Sequence, residues 1–314
     1  MKTLDVIIPC YNEELVIQTT YERVRAVLDS MTDTVDASIT FINDGSKDRT
    51  LSILQQISEK DRQVRVFNFS RNFGHQPAVT AGLNHCTADM AVIIDADLQD
   101  PPELIPDLIR TKEKENANVV YCVRKKRNGE GKFKKQSAKV FYRFLNSLSE
   151  VNFPLDTGDF RLVDSRVIQE FNRLHEKGKY IRGLISWVGF KQVPFYYERH
   201  ARFAGETKYP LSKMLKFAST ALLYFSKKPL LLATGLGFLS MFFGILLALW
   251  YMFGKFFGFT NAESGFTSIM IIVIFFGGVQ LLTIGVLGQY IGILFDEVKD
   301  RPEYIIENKI NDEK

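Results

Sequence analysis

Short, nearly continuous apolar runs recur along the first part of the chain: LDVIIP (4–9), ASITFI (37–42), VRVFNF (64–69), MAVIID (90–95) and NVVYCV (118–123). Runs of this kind predict strands covered on both faces, not strands with one wet side. Between them, 13–30, 47–60, 76–87 and 102–115 carry helical patterns, with starts marked by Asn12 and Glu14, by Ser46 and Arg49, and by Pro102. The alternation predicts βαβ units, a mostly parallel sheet and the α/β class. Further on the pattern changes. Residues 230–254 and 266–295 are two runs without a charged side chain, joined by a short loop at roughly 255–265. At about 1.5 Å per residue the first run is roughly 37 Å long, against a hydrocarbon core of ~30 Å. A hairpin of two transmembrane helices is therefore expected.

Charge orients that hairpin. Lys208, Lys213, Lys216, Lys227 and Lys228 precede the first run, with no acid between Glu206 and Glu263, and the connecting loop carries only Lys255 and Glu263. Positive flanks stay cytoplasmic, so the large N-terminal part and the C-terminal tail are expected on the cytoplasmic side of the cell membrane. The opening MKTLDVIIPCYNEE is too briefly apolar for a signal peptide. Segments 137–148 and 211–225 place apolar residues on one helical face beside basic ones, the pattern of a helix at a headgroup boundary or of core packing. The expected organisation is an α/β domain over 1–205, a juxtamembrane amphipathic helix over 206–229, two spans within 230–295 and a cytoplasmic tail over 296–314. A net charge of only +4 does not suggest a nucleic-acid binder. Cys10, Cys86 and Cys122 show no C-x-x-C spacing, lie in or near apolar segments, and read as reduced, buried small hydrophobes.

The chemistry sits where the strands stop. The first ends at PCYNEE, the second at NDGSKD and the fourth at DADLQD. In open α/β sheets ligands lie beyond the carboxyl ends of the strands, so these acids are expected along one edge. Crowded carboxylates repel unless partnered, and a hard divalent cation carrying phosphates is the natural partner. In D-x-D, alternate side chains point the same way, so Asp95 and Asp97 are expected to face one ligand together. Capping and loop decoration are the plainer alternatives for such acids. Neither G-x-x-x-x-G-K-[ST] nor G-x-G-x-x-G occurs, which leaves P-loop and dinucleotide readings without support.

VIIPCYNEE, INDGSKDRT, SRNFGHQPAVTAGL, DADLQDPPE, TGDFRLVD and RFAGETKY together, in this order and spacing, resemble the membrane-bound polyprenyl-phosphate glycosyltransferases of glycosyltransferase family 2. These inverting enzymes include bacterial bactoprenol glucosyltransferases and dolichyl-phosphate mannose synthases. The resemblance covers essentially 4–300 and is nearer the bacterial type with two C-terminal spans. It implies a GT-A, Rossmann-like catalytic domain and a hexosyltransferase dependent on a magnesium or manganese ion. Pro9, Tyr11, Asn12 and Glu13 would line the nucleotide pocket, and Asp44 would meet the base. Asp95 and Asp97 would hold nucleotide and metal, Asp97 more directly, with Gln99 near the sugar or metal. Asp159 stands at the family's catalytic acidic position, and Arg202 and Lys208 would approach donor or lipid phosphates.

The implied reaction moves one sugar from a nucleotide sugar, a UDP-sugar such as UDP-glucose or a UDP-N-acetylhexosamine, to undecaprenyl or another polyprenyl phosphate for cell-envelope glycosylation. A phosphate monoester is largely dianionic at neutral pH, so Asp159 has less need to act as a base than in a transfer to a hydroxyl. The stretch RKKRNGEGKFKK (124–135) either approaches the acceptor phosphate and anionic lipid or only helps dock the domain. A processive polysaccharide synthase is a rival reading, but LISWVGF lacks the arginine of Q-x-x-R-W and two spans are few for a channel. A non-catalytic scaffold is the other, opposed by the presence of Asp95, Asp97 and Asp159. Gly285, Gly288 and Gly292 offer small-residue spacing either for a homo-oligomer or for packing within the hairpin.

Overall fold

The computed structural model describes residues 1–124, 157–198, 227–257 and 265–312. They form two compact units, one from 1–124, 157–198 and 301–312, the other from 227–257 and 265–300. Arg202, Lys208, most of the basic run 124–135, the segments 137–148 and 211–225 and most of the loop between the apolar runs lie outside the described residues.

In the first unit β1 (Lys2–Cys10), β2 (Val35–Asn43), β3 (Val64–Phe69), β4 (Met90–Ile93) and β5 (Val119–Arg124) alternate with α1 (Ile17–Asp29), α2 (Thr50–Lys60), α3 (His75–Asn84) and α4 (Ile105–Glu115). Then come β6 (Thr157–Asp164), α5 (Ser165–Asn172), α6 (Ile181–Val188), β7 (Gln192–Tyr197) and, after the second unit, β8 (Ile306–Ile310). The sheet order is β7-β5-β6-β4-β1-β2-β3-β8. Only β6 and β8 run antiparallel to their neighbours. This is the mostly parallel α/β sheet that the apolar runs predict, and it agrees with the GT-A architecture that the family resemblance implies.

Register places the site. β1 and β2 pair from Lys2 with Val35 to Cys10 with Asn43, and Asn43 in turn pairs with Asn68 of β3. The loops after β1 and β2 therefore rise side by side. On one face Leu4, Val6, Ile8, Ile39 and Phe41 are buried in one cluster with Val24 of α1, Leu54 of α2 and Leu108 of α4. On the other face α3 lies so close to β1 that a Cβ on Gly82 would sit 2.3 Å from Cγ2 of Ile7.

The tail expected over 296–314 divides differently in the structure. The last helix runs to Lys299, and 301–312 folds into the first unit, where β8 pairs with β3. Tyr304 stacks on Phe69 at 5.2 Å, and Asn311 Nδ2 donates to the backbone oxygens of Ser58 and Val64.

The second unit contains α7 (Lys228–Phe256) and α8 (Gly265–Lys299). Within them Lys228–Leu247 and Ile272–Lys299, with mean hydropathy 2.2 and 1.9, are long and apolar enough to cross a membrane. Leu231, Phe238, Trp250, Leu281 and Leu294 are exposed on their surfaces. Gly244 makes room for the ring of Phe276, 3.1 Å from where its Cβ would be. Among the described residues nothing lies within 4 Å of a Cβ added at Gly285, Gly288 or Gly292.

Gly82→Ala tests the closeness of α3 and β1. Helix propensity alone would stabilise the alanine variant by ~1 kcal/mol. The contact with Ile7 should instead make it less stable by about 1–3 kcal/mol in denaturant titrations. Ile7→Ala should then cost less in the Gly82→Ala background than in the wild type. A more stable Gly82→Ala variant would show that the helix is not held this close.

Candidate active site

Three strand ends and the first turn of α3 build the site. After the buried Pro9 of β1 the chain turns at Asn12, whose φ is +55°. The Asn12 N–H donates to Ser46 Oγ at 2.9 Å, and its Oδ1 accepts from the Lys47 N–H at 2.8 Å. The Glu13 N–H donates to Thr50 Oγ1 at 2.9 Å. Tyr11, Asn12 and Glu13, all half-buried, are thereby stitched to the segment that follows β2.

Asp44, the first residue of that segment, is buried. Its carboxylate accepts from the Phe73 N–H (2.7 Å), the Gly74 N–H (2.9 Å) and Asn72 Nδ2 (2.9 Å). Burial pushes its pKa up despite these bonds. The bonds fix the turn that launches α3, so that His75 becomes its first residue. Gly45 follows with φ +62°, and a Cβ there would lie 2.4 Å from the Arg71 carbonyl carbon, which leaves glycine as the residue that fits.

Beyond β4, exposure alternates: Ile94, Ala96, Leu98 and Asp100 are buried, whereas Asp95, Asp97 and Gln99 are accessible. The period-two expectation for Asp95 and Asp97 thus holds past the end of the strand, and Gln99 shares their side. Leu98, at φ +57°, bends the chain, and the Gln99 N–H closes the turn onto Asp97 Oδ1 at 3.1 Å. Beneath them Asp100 is fully buried and accepts from the Tyr197 hydroxyl of β7. Burial raises the Asp95 pKa to about 6. The positive charge of His75 opposes the rise, and the charges of Asp159, Asp100 and Asp97 add to it.

Asp159 stands on β6, which enters the sheet antiparallel beside β4 with Arg161 opposite Ile93. Arg182 of α6 grips its carboxylate with two bonds, Nε to Oδ1 at 2.7 Å and Nη2 to Oδ2 at 3.1 Å, while Nη1 donates to the Thr157 carbonyl at 2.9 Å. His75 Nε2 lies 2.9 Å from Asp159 Oδ2 and 3.8 Å from Asp95 Oδ1. Burial alone would lower the His75 pKa, but the hydrogen bond to Asp159 and the charges of Asp95 and Asp159 push it up to about 9. Burial would raise Asp159, but the Arg182 charge and the His75 bond hold it well below the usual carboxylate range.

The consequence is chemical. One ligand atom each from His75, Asp95 and Asp159 lies within 4.8 Å of the others, a spacing that could hold a metal ion; with no metal bound, the raised pKa of His75 makes the trio an ion-pair network. The half-buried carboxylates of Asp95 and Asp97 also suit a hard cation. Asp159, doubly held and strongly acidic, is a poor proton acceptor. His75 and Arg182 are site residues that pattern reading does not single out: His75 hides inside SRNFGHQPAVTAGL, and Arg182 lies in an amphipathic helix with no motif of its own.

The sign of the pH dependence follows from these shifts. His75 has its pKa raised from 6.5 to about 9, so its stabilising contribution is complete below 6.5 and disappears as pH rises through about 9. Asp159 is shifted the other way, so its contribution is lost only as pH falls below the ordinary value of 3.8 toward the lowered one. With divalent ions removed, wild type should exceed His75→Gln in stability by about 1–2 kcal/mol near pH 6, allowing for the partial exposure of the ring. The gap should close above pH 9. A gap independent of pH in urea unfolding would contradict the ion pair.

Comparison with known proteins identifies the family. The model of the glycosyl transferase family 2 domain matches residues 5–171. An uncharacterized glycosyltransferase of Bacillus subtilis (strain 168) is 49% identical over 310 residues, spanning 96% of this chain and 92% of that protein. The bactoprenol glucosyl transferase of Shigella phage SfII is 38% identical over 303 residues, spanning 96% and 97%. Among solved structures, glucosyl-3-phosphoglycerate synthase from Mycobacterium tuberculosis, in complex with Mn2+, UDP-glucose and phosphoglyceric acid, matches with a TM-score of 0.44 at 20% identity, covering 71% of this chain and 78% of that one. With the family model spanning more than half of its length and relatives this similar almost end to end, the chain belongs to glycosyl transferase family 2.

Proposed function

We propose that the protein transfers a single hexose from a UDP-sugar to a polyprenyl phosphate at the cytoplasmic face of the cell membrane, with inversion at the anomeric carbon. The observation that carries this reading is the meeting of Asp95, from the half-buried Asp95, Asp97 and Gln99 series, with His75 and an Asp159 clamped by Arg182. Relatives named bactoprenol glucosyl transferase, similar over nearly the whole chain, support a lipid-phosphate acceptor and make glucose the first sugar to test. Two helices apolar enough to span a membrane, with the lysines that precede them, support a two-span anchor and a cytoplasmic catalytic unit.

Each part of the site has a task in that reaction. Pro9, Tyr11, Asn12 and Glu13, tied to the segment at Asp44, form the nucleotide side. Asp97, with Asp95, would hold a magnesium or manganese ion; the crowding that lifts Asp95 to about 6 is the kind a divalent cation relieves. When bound, the ion neutralises charge on the leaving diphosphate. Asp159 keeps two cations, Arg182 and His75, at one place, where negatively charged phosphates need them. It has no proton to remove from an acceptor phosphate that is already dianionic near neutral pH. Asp159 therefore orients and balances charge.

The assay is direct. Purified full-length protein with undecaprenyl phosphate, radiolabelled UDP-glucose and Mg2+ or Mn2+ should yield labelled lipid. Asp97→Asn should lower turnover upward of about 100-fold, the effect of several kcal/mol of lost charge stabilisation. Turnover surviving excess EDTA would remove the metal from the reading, and labelled lipid from none of a panel of UDP-sugars would remove the donor class.

The role of Asp159 has its own measurement. Asp159→Asn should lose most activity yet keep the acidic limb of kcat/KM, which should follow acceptor ionisation near pH ~6. Disappearance of that limb in the asparagine variant would make Asp159 the base instead.

A further inference from the structure

We propose that Glu307, on the strand that follows the last apolar helix, is a positioning residue for the nucleotide side of the site. The proposal deepens the function above and rests on it. Its basis is a continuous run of hydrogen bonds in which every donor points the same way. The Asn12 N–H donates to Ser46 Oγ at 2.9 Å, and Ser46 Oγ donates to Asn43 Oδ1 at 2.5 Å. Asn43 Nδ2 donates to Asn68 Oδ1 at 2.7 Å, and Asn68 Nδ2 donates to Glu307 Oε2 at 2.9 Å. The run crosses from the loop after β1, over the ends of β2 and β3, to β8.

The terminal carboxylate sets the direction. An ionised carboxylate only accepts, so Asn68 must turn its amide nitrogen toward Glu307 and its oxygen toward Asn43. Asn43 must then present its nitrogen to Asn68 and its oxygen to Ser46. The Ser46 proton is committed to Asn43, which leaves an oxygen lone pair for the Asn12 N–H. Asn43 and Asn68 are 0% and 4% exposed, so solvent does little to relieve a wrong amide orientation there, and such chains polarise cooperatively. Without an acceptor at position 307 both amides are free to turn, and an Asn43 Nδ2 set against Ser46 Oγ would compete with the Asn12 N–H for the lone pairs of the hydroxyl.

Local geometry presents Glu307 for this task. β3 and β8 pair Phe67 with Lys309 and Asn68 with Asn308, then shift so that Phe69 pairs with Ile306. Glu307 is the extra residue of that bulge, and bulges re-aim side chains. The strand is anchored without it. The Ser70 N–H donates to the Ile305 carbonyl at 3.0 Å, Asn84 Nδ2 donates to the Tyr304 hydroxyl at 3.0 Å, and Asn311 holds the far end. Substitution at 307 therefore perturbs the relay and leaves the docking of β8 in place.

The test uses the full-length protein with Glu307→Lys, which supplies only donors, and Glu307→Gln, which retains an acceptor. Hydrogen exchange without any substrate gives the first readout. In Glu307→Lys the amide of Asn12 and its neighbours in 11–14 should exchange about tenfold faster, the scale of one lost charge-assisted bond, with β3 and β8 protected as in wild type. Kinetics give the second: KM for UDP-glucose should rise about tenfold, kcat and the lipid-acceptor KM should stay within about twofold, and Glu307→Gln should restore wild-type values. Unchanged exchange at 11–14 in Glu307→Lys overturns the proposal. So does faster exchange throughout β3 and β8 with kcat and both KM values altered together, the mark of an undocked strand. A wild-type protein inactive with UDP-glucose would count against the donor assignment alone, because the exchange measurement decides the relay without it.

Discussion

The buried carboxylate of Asp159 is the constraint around which the catalytic unit is arranged. A buried carboxylate is tolerable only when paired, and its two partners come from different elements. Arg182 brings α6 and His75 brings the first turn of α3 to a strand that runs against the sheet. Breaking such a pair from one side leaves an uncompensated charge and costs more than the pair's net value. That asymmetry makes the insertion of β6 between β4 and β5 more than a topological detail, because it carries Asp159 to the DADLQD turn. The same pairing governs Asp95. His75 approaches it at 3.8 Å and moderates a pKa that burial and three neighbouring acids raise.

The parallel half of the fold is legible in the sequence because its signal is local. LDVIIP, ASITFI, VRVFNF, MAVIID and NVVYCV are apolar throughout, as double burial requires, and each becomes a strand within a residue or two of the expected limits. The remaining strands are hidden for identifiable reasons. TGDFRLVD holds Asp159, Arg161 and Asp164, buried charges that interrupt the apolar run, and His75 and Arg182, the partners of Asp159, are too far along the chain to leave a local mark. QVPFYY contains Pro194, tolerable on an edge strand and discouraging in a pattern search. IENKI is a polar edge strand after a long apolar helix and reads as tail.

The site divides in the same way. Asp95 and Asp97 announce themselves by spacing, since alternation along an extended backbone needs no knowledge of the fold. Asp44 is visible as an acid at a strand end, but its binding of the 72–74 turn is a contact across 28 to 30 residues. His75 and Arg182 become chemically significant only through Asp159, 84 and 23 residues away. Long-range electrostatics is what a periodicity search misses, and here it sets the protonation state of the site.

That protonation state bears on how one fold serves different acceptors. A carboxylate that must abstract a proton needs a pKa near the working pH. Asp159 is shifted in the opposite direction, so the architecture spends its acidity on holding two cations. Such an arrangement suits a nucleophile that arrives already charged: the acceptor brings its own negative oxygen, and the protein's problem is to let two anionic phosphates approach. Under the proposed function, charge neutralisation by Arg182, His75 and a cation at Asp97 would take the place of proton transfer. An acceptor with an un-ionised hydroxyl would find the opposite environment, a carboxylate too acidic to take its proton and too firmly held to turn toward it. Under the proposed function, a phosphate acceptor would be favoured over a hydroxyl by the pairing of one buried aspartate, before any contact with a lipid chain.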